Sequence, residues 1–141
     1  RHSVKYLIIG GHACALHGHV RATVDIDILL KNDDDNLERA LSAVSELLPG
    51  ITEKLAPSDI RENIVLKIID EIELDLSIQA WSLDYNEGTR NMKTLTVDGI
   101  TVPYPGIDEL IKSKQTQREI DQWDIKVLTE IKRKHANDRT V

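Results

Sequence analysis

The segment Thr23-Val24-Asp25-Ile26-Asp27-Ile28 most constrains this chain, because apolar and acidic residues alternate there with a period of two. A strand with that period turns Thr23, Asp25 and Asp27 to one face and Val24, Ile26 and Ile28 to the other. The apolar side has to meet a core, so the opposite side presents two carboxylates next to each other. Aspartate is a poor strand former, and like charges two residues apart on one face repel, so the pair calls for a cationic partner. A divalent cation meets that need: Mg²⁺ takes hard oxygen ligands and is commonly held by one or two carboxylates plus substrate phosphates.

The residues just upstream fit phosphate. Tyr6 to Ile9 is a short apolar run that stops at Gly10-Gly11, which reads as a strand running into a turn. A short helix is expected from His12 to His17, ended by Gly18. Bare N–H groups at Gly10 and Gly11 would make a concave donor site for phosphate oxygens.

This order of strand, Gly-Gly, helix and Asp-x-Asp resembles the signature of the nucleotidyltransferase superfamily that includes DNA polymerase beta. The variant GGHACALHGHVRATVDIDILL, with Arg21 and Thr23 ahead of the acidic pair, is similar to small bacterial nucleotidyltransferase-like proteins grouped with the AbiEii toxins. The resemblance implies a third carboxylate on a neighbouring strand. Asp75 in ELDLS fits its hydrophobic-Asp-hydrophobic context, and Glu73, on the same face one pleat away, is the competitor. It places Gly10, Gly11, Thr23 and Lys114 at the nucleotide and Asp25, Asp27 and Asp75 at the metal. LIKSKQTQREIDQWDIKVL resembles the C-terminal helices of the same bacterial proteins, where a lysine, an arginine and two aspartates recur. One departure stands out: the superfamily usually has Gly-Ser where this chain has Gly10-Gly11, which removes a serine hydroxyl from the phosphate site. The resemblance spans about Lys5 to Leu128, and its specific part is Gly10 to Asp27 plus Asp75.

The 141 residues suit one domain, 1–141, with a core of its own. With no signal segment and no apolar run near 18 residues, a soluble, cytoplasmic protein without membrane contact is expected. The net charge of −6 argues against a general nucleic-acid coat protein, although basic residues thicken toward the C-terminus. Cys14, the one cysteine, reads as a small buried hydrophobe. His12, His17 and His19 lack the spacing and cysteine partners of common zinc sites.

Three aspartates in KNDDDN read as a helix start rather than a second metal site. Leu37, Ala40, Leu41, Val44, Leu47 and Leu48 form the buried stripe that follows. Ile51 to Arg61 reads as loop. Asn63 to Ile69 and Ile72 to Ile78 read as an antiparallel pair turning at Asp70-Glu71. Lys93 to Val97 and Ile100 to Val102 read as a hairpin around Asp98-Gly99, ended by Pro103 and Pro105. Gln79 to Met92 shows no clear pattern, and Trp81 and Tyr85 are expected to cap the core. Helices are expected over Gly106 to Gln115 and Glu119 to Lys134. The second would bury Ile120, Trp123, Val127, Leu128 and Ile131, and the tail from His135 would fray. Were the helix continuous, Lys114, Arg118 and Asp121 would share a face.

The expected fold is α/β (α+β): a small mixed, mostly antiparallel sheet with helices packed on it. The expected activity is transfer of a nucleoside monophosphate from an NTP to an acceptor hydroxyl, with release of pyrophosphate. Two Mg²⁺ ions about 3.5–4 Å apart, replaceable by Mn²⁺, would be held by Asp25, Asp27 and Asp75. An RNA end, a protein hydroxyl and a small molecule are all open as acceptor. The alternatives are a catalytically silent binding protein of the same fold, such as an antitoxin or scaffold, and a phosphohydrolase, which lacks an accompanying motif.

Overall fold

Strand β1 (Tyr6–Ile9) forms from four consecutive strand-favouring residues, and Gly10 redirects the chain at φ +68° directly into α1 (Gly10–Leu16). The helix thus starts two residues before the expected His12. A left-handed first residue is open to glycine without penalty, so the turn and the helix start share one position. The computed structural model describes residues 2–50, 53–70 and 72–139. After α1 come β2 (Ile26–Leu30), α2 (Asp34–Leu47), α3 (Pro57–Glu62), β3 (Leu66–Ile69) and β4 (Glu73–Ser77). The chain continues through β5 (Gln79–Ala80), β6 (Leu83–Asp84), α4 (Tyr85–Gly88), β7 (Lys93–Val97), β8 (Ile100–Tyr104), α5 (Ile107–Lys112) and α6 (Glu119–Arg139).

The main sheet has the order β1-β2-β4-β3. β1 is antiparallel to β2, β2 is parallel to β4, and β4 is antiparallel to β3. The mixed, mostly antiparallel sheet expected from the sequence is therefore present. Its register aligns Ile9, Asp27, Asp75 and Lys67 in one row across all four strands. Because side chains alternate, the other face carries Ile26, Ile28, Leu30, Leu74, Leu76 and Ile68. That face packs on Leu37, Ala40, Leu41 and Val44 of α2 and on Ile60 of α3.

Helix α2 starts as its aspartates suggest: Asp33 accepts a hydrogen bond from the Asn36 backbone N–H at 2.7 Å. Asn36 is buried and ties two strand ends together, accepting from Lys5 N at 2.7 Å and donating to Lys5 O and Lys31 O at 2.9 Å each. Leu47, expected in the buried stripe, is instead 56% exposed in the last turn of α2, while Leu48 is buried. The expected loop from Ile51 to Arg61 contains a helix. Pro57 takes its first position, where the missing N–H is no loss, and Ile60 is fully buried beneath it. Ile51 and Thr52 of that stretch, and Glu71 of the expected turn, lie outside the described residues.

On the acidic face, one end is covered. Leu7, Ile9, Leu29 and Leu83 form a cluster against which Ala80 and Tyr85 pack. The patternless stretch from Gln79 to Met92 is thus a two-strand ribbon and a helical turn that close this end. The hairpin at Asp98-Gly99 is present, with both residues at positive φ, and β8 runs through Pro103 to Tyr104, past its expected end. α1, α5 and α6 meet over Ala13, Cys14, Leu110 and Leu128. Helix α6 extends to Arg139 where fraying was expected from His135. Among the described residues no helix is long and apolar enough to cross a membrane.

Candidate functional site

The acidic half of the sheet face is open and forms the floor of a cleft of about 330 Å³. Gly10, Gly11, Thr23, Asp25, Asp27, Asp75 and Lys114, all singled out from the sequence, line this one cleft. The two glycines are there for space. A Cβ on Gly10 would stand 1.9 Å from Asp27 Oδ2, and one on Gly11 would stand 2.2 Å from Thr23 Oγ1. The Thr23 hydroxyl therefore occupies the place into which a side chain at position 11 would project.

Asp27 and Asp75 are cross-strand partners in the parallel pair, and Asp25 precedes them by one pleat, just before β2 begins at Ile26 rather than at the expected Val24. Burial, and then the hydrogen bond and charge of Asp75, push Asp27 up to about 7. Asp25 is held below its ordinary value, first by a hydrogen bond with Glu73 and then by Lys67, and Glu73 is raised by the same bond. Between the two competing acids of β4, Asp75 is the buried one facing Asp27, while Glu73 pairs with Asp25. Lys67 reaches over from β3, its Nζ 2.9 Å from Asp25 Oδ2 and 3.0 Å from Asp75 Oδ1. Nothing in the sequence alone marked this lysine, since its position opposite Asp75 depends on the register of the β3–β4 pair.

The second wall is built around Asp124, which is fully buried. Arg21 donates to it in a fork, Nε to Oδ1 and Nη2 to Oδ2, both at 2.9 Å. Lys114 Nζ lies 2.9 Å from Oδ2, and His19 Nε2 lies 2.9 Å from Oδ1. Burial by itself would raise this carboxyl, but the hydrogen bonds from Arg21 and Lys114 outweigh it and hold Asp124 at about 2. The expectation that Lys114, Arg118 and Asp121 share one helical face is corrected here. α5 stops at Lys112 and α6 begins at Glu119, so Lys114 lies between helices and folds back onto α6. Arg118 is 74% exposed and only loosely paired with Asp121. The buried stripe of α6 is accordingly Asp121, Asp124 and Leu128, and Trp123 is 47% exposed with its ring edge-on to His19. Asp124 is one of the two aspartates that the C-terminal resemblance covers, but sequence reasoning does not name it as a site residue; that resemblance and its i, i+3 spacing from Asp121 are the available signals.

The histidines go to different places. His17 hydrogen-bonds Pro105 O at 2.8 Å, His19 joins Asp124, and His12 does not line the cleft. Cys14 is buried, and burial pushes its thiol up to about 11, as fits an inert small hydrophobe. Trp81 does not cap the core. It sits at φ +55°, 60% exposed, on the rim of the cleft near exposed Val24 and Ile64, while Tyr85 does pack on the core.

Among the described residues no three acidic, histidine or cysteine side chains converge into a ready-made metal cage. What is present is a partial set of hard oxygen donors, with an ammonium already drawn between two of them and a third carboxyl raised first by burial and then by its acidic neighbours. That donor set fits Mg²⁺, which completes its shell with water and substrate phosphate.

No protein-family model matches this chain, and no curated protein does. The fold is similar to that in the crystal structure of an antigenic nucleotidyltransferase-like protein from Paracoccidioides brasiliensis. The two are 18% identical with a TM-score of 0.55, over 87% of this chain and 66% of that one. This chain thus spans just under two thirds of that relative's length, and what the likeness shows is a mixed α/β fold of the nucleotidyltransferase-like kind.

Proposed function

We propose that this chain is a metal-dependent nucleotidyltransferase, in which an acceptor hydroxyl oxygen bonds to the α-phosphorus of an NTP as pyrophosphate leaves. The observation that carries this reading is that Asp25, Asp27 and Asp75 line one cleft together with Gly10 and Gly11, Asp27 and Asp75 being cross-strand partners. The nucleotidyltransferase-like fold supports it. So does the resemblance of the motif from Gly10 to Asp27 to that of AbiEii-related bacterial proteins.

Asp25, Asp27 and Asp75 would hold Mg²⁺, two ions in the full arrangement, with Mn²⁺ able to substitute. Bound there, the metal would supply charge neutralisation at the phosphates and a lowered pKa for the acceptor hydroxyl. The chain's own contribution is placement. Backbone N–H groups at Gly10 and Gly11 would take phosphate oxygens. The Thr23 hydroxyl, standing where a side chain at position 11 would be, would supply the contact that the absent serine does not. Lys114, paired to Asp124 and Asp121, would face the triphosphate with a rigidly held charge rather than a swinging one. The acceptor is an RNA end, a protein hydroxyl or a small molecule.

Incubating the protein with the four NTPs, Mg²⁺ and total RNA or protein extract should give a labelled product and pyrophosphate in equal amounts. Absence of both with every acceptor class overturns the enzymatic reading. The second reading, a silent binding protein such as an antitoxin or scaffold, draws on the ion pairing of Lys67 into the acidic floor. It predicts NTP or partner binding with no pyrophosphate at all.

A further inference from the structure

Lys67 ends the cross-sheet row Ile9, Asp27, Asp75, Lys67 on β3, one of the two edge strands of the sheet. An edge-strand lysine ordinarily points into water, where it discourages pairing with another sheet. This one turns inward over the sheet face instead. Its ammonium stands 2.9 Å from Asp25 and 3.0 Å from Asp75, while the side chain remains 45% exposed. Lys67 donates to Asp75 Oδ2 at 3.3 Å, while Oδ1, buried and 3.0 Å from the same ammonium, receives no well-directed hydrogen bond, so the lysine satisfies the acid only in part. The nearby Arg21 and Lys114 are engaged by Asp124 on the opposite wall. Among the described ion pairs, the cation within contact of the acidic floor is Lys67.

We propose that Lys67 is an internal counter-ion that exchanges with the divalent cation. It bridges Asp25 and Asp75 in the metal-free protein and swings out to solvent when the cation enters, so that cation binding and release of the lysine are one coupled event. This inference rests on the metal-dependent reading of the same carboxylates. The bridge has to be reversible for the site to load, and a half-exposed side chain on an edge strand, with open solvent on one side, has somewhere to go. The arrangement keeps crowded carboxylates from repelling one another while the site is empty of metal, and it sets a threshold for loading. A carboxylate pair with no such lysine would bind divalent cations more tightly and be less stable without them.

The test uses the full chain with Lys67→Met and Lys67→Arg, and with Mg²⁺ and Mn²⁺ alone as probes. Lys67→Met is expected to bind Mg²⁺ about tenfold more tightly than wild type by calorimetry and to melt lower in EDTA. Lys67→Arg, which keeps the charge, should stay close to wild type in both, which separates loss of the counter-ion from a general folding defect. In wild type, acylation of Lys67 followed by mass spectrometry should be slow in EDTA and several-fold faster with saturating Mg²⁺. Unchanged Lys67 reactivity on Mg²⁺ binding, or unchanged Mg²⁺ affinity in Lys67→Met, overturns the exchange. So does failure of both wild type and Lys67→Met to bind either ion. Exchange observed in a protein that transfers no nucleotide leaves the counter-ion standing and removes the transferase reading alone.

Discussion

Asp75 and Glu73 are two residues apart on one strand face, yet the fold gives them different neighbours. Asp75 is buried in register with Asp27, whereas Glu73 lies at the open end and shares a hydrogen bond with Asp25. Asp75→Asn should therefore abolish transfer while leaving NTP binding largely intact, and Asp25→Asn should damage both. Glu73→Gln should keep most activity, because an amide preserves the hydrogen bond that a carboxyl with raised pKa makes to Asp25. Transfer rates with parallel NTP titrations check this, and an inactive Glu73→Gln beside an active Asp75→Asn would reverse the assignment. Asp27 gives a second prediction. Its pKa of about 7 in the fold lies above the unfolded value of ~4. The proton it keeps stabilises the folded state at pH below ~4, and that contribution is lost as pH rises toward 7. In EDTA, Asp27→Asn should be more stable than wild type by roughly 1–3 kcal/mol at pH 8, a melting shift of several degrees, and show no advantage at pH 4. An equal shift at both values would mean that the charge on Asp27 is not what burial resists.

Helix α6 decides the second wall of the cleft, because its inward stripe begins with charge. Asp121 and Asp124 point in where an apolar residue would ordinarily sit, and Lys114 and Arg21 close on Asp124 from the α5–α6 connection and from the loop before β2. Removing one partner from a buried ion cluster leaves uncompensated charge, so Asp124→Asn should cost about 3–5 kcal/mol near neutral pH. Because Asp124 is held at about 2, below its unfolded value, its contribution is complete above pH ~4 and is lost as pH falls from ~4 to ~2. Urea denaturation at pH 7 and pH 2.5 should show the gap between wild type and Asp124→Asn narrowing in acid. A gap that stays constant would assign the effect to shape rather than to charge. The same element explains why helical spacing misled at Lys114: the break between Lys112 and Glu119 removes the continuous face and replaces it with a fold-back.

For the whole molecule the governing quantity is the charge of the cleft. A chain of net charge −6 that gathers four carboxyls on one open sheet face repels a triphosphate unless a cation is present. Calorimetry should accordingly find NTP binding in Mg²⁺ or Mn²⁺ that is at least tenfold weaker in EDTA, and equal affinity in both would remove the metal-bridged site. Much of the site was legible along the chain. The Thr23, Asp25, Asp27 alternation, the Gly10-Gly11 stop and the ELDLS strand all follow from local periodicity and turn chemistry, which a sequence carries in full. The sequence by itself also determined the helix start at Asp33 and the hairpin at Asp98-Gly99, because caps and tight turns are decided by residues a few positions apart. Only the tertiary structure decided that Asp75 rather than Glu73 faces Asp27, that Lys67 spans Asp25 and Asp75, and that Asp124 gathers His19, Arg21 and Lys114. Those choices depend on strand register and on a helix returning from more than 100 residues away. Such long-range pairings are selected by the burial of two faces at once and leave no periodic trace in either segment alone.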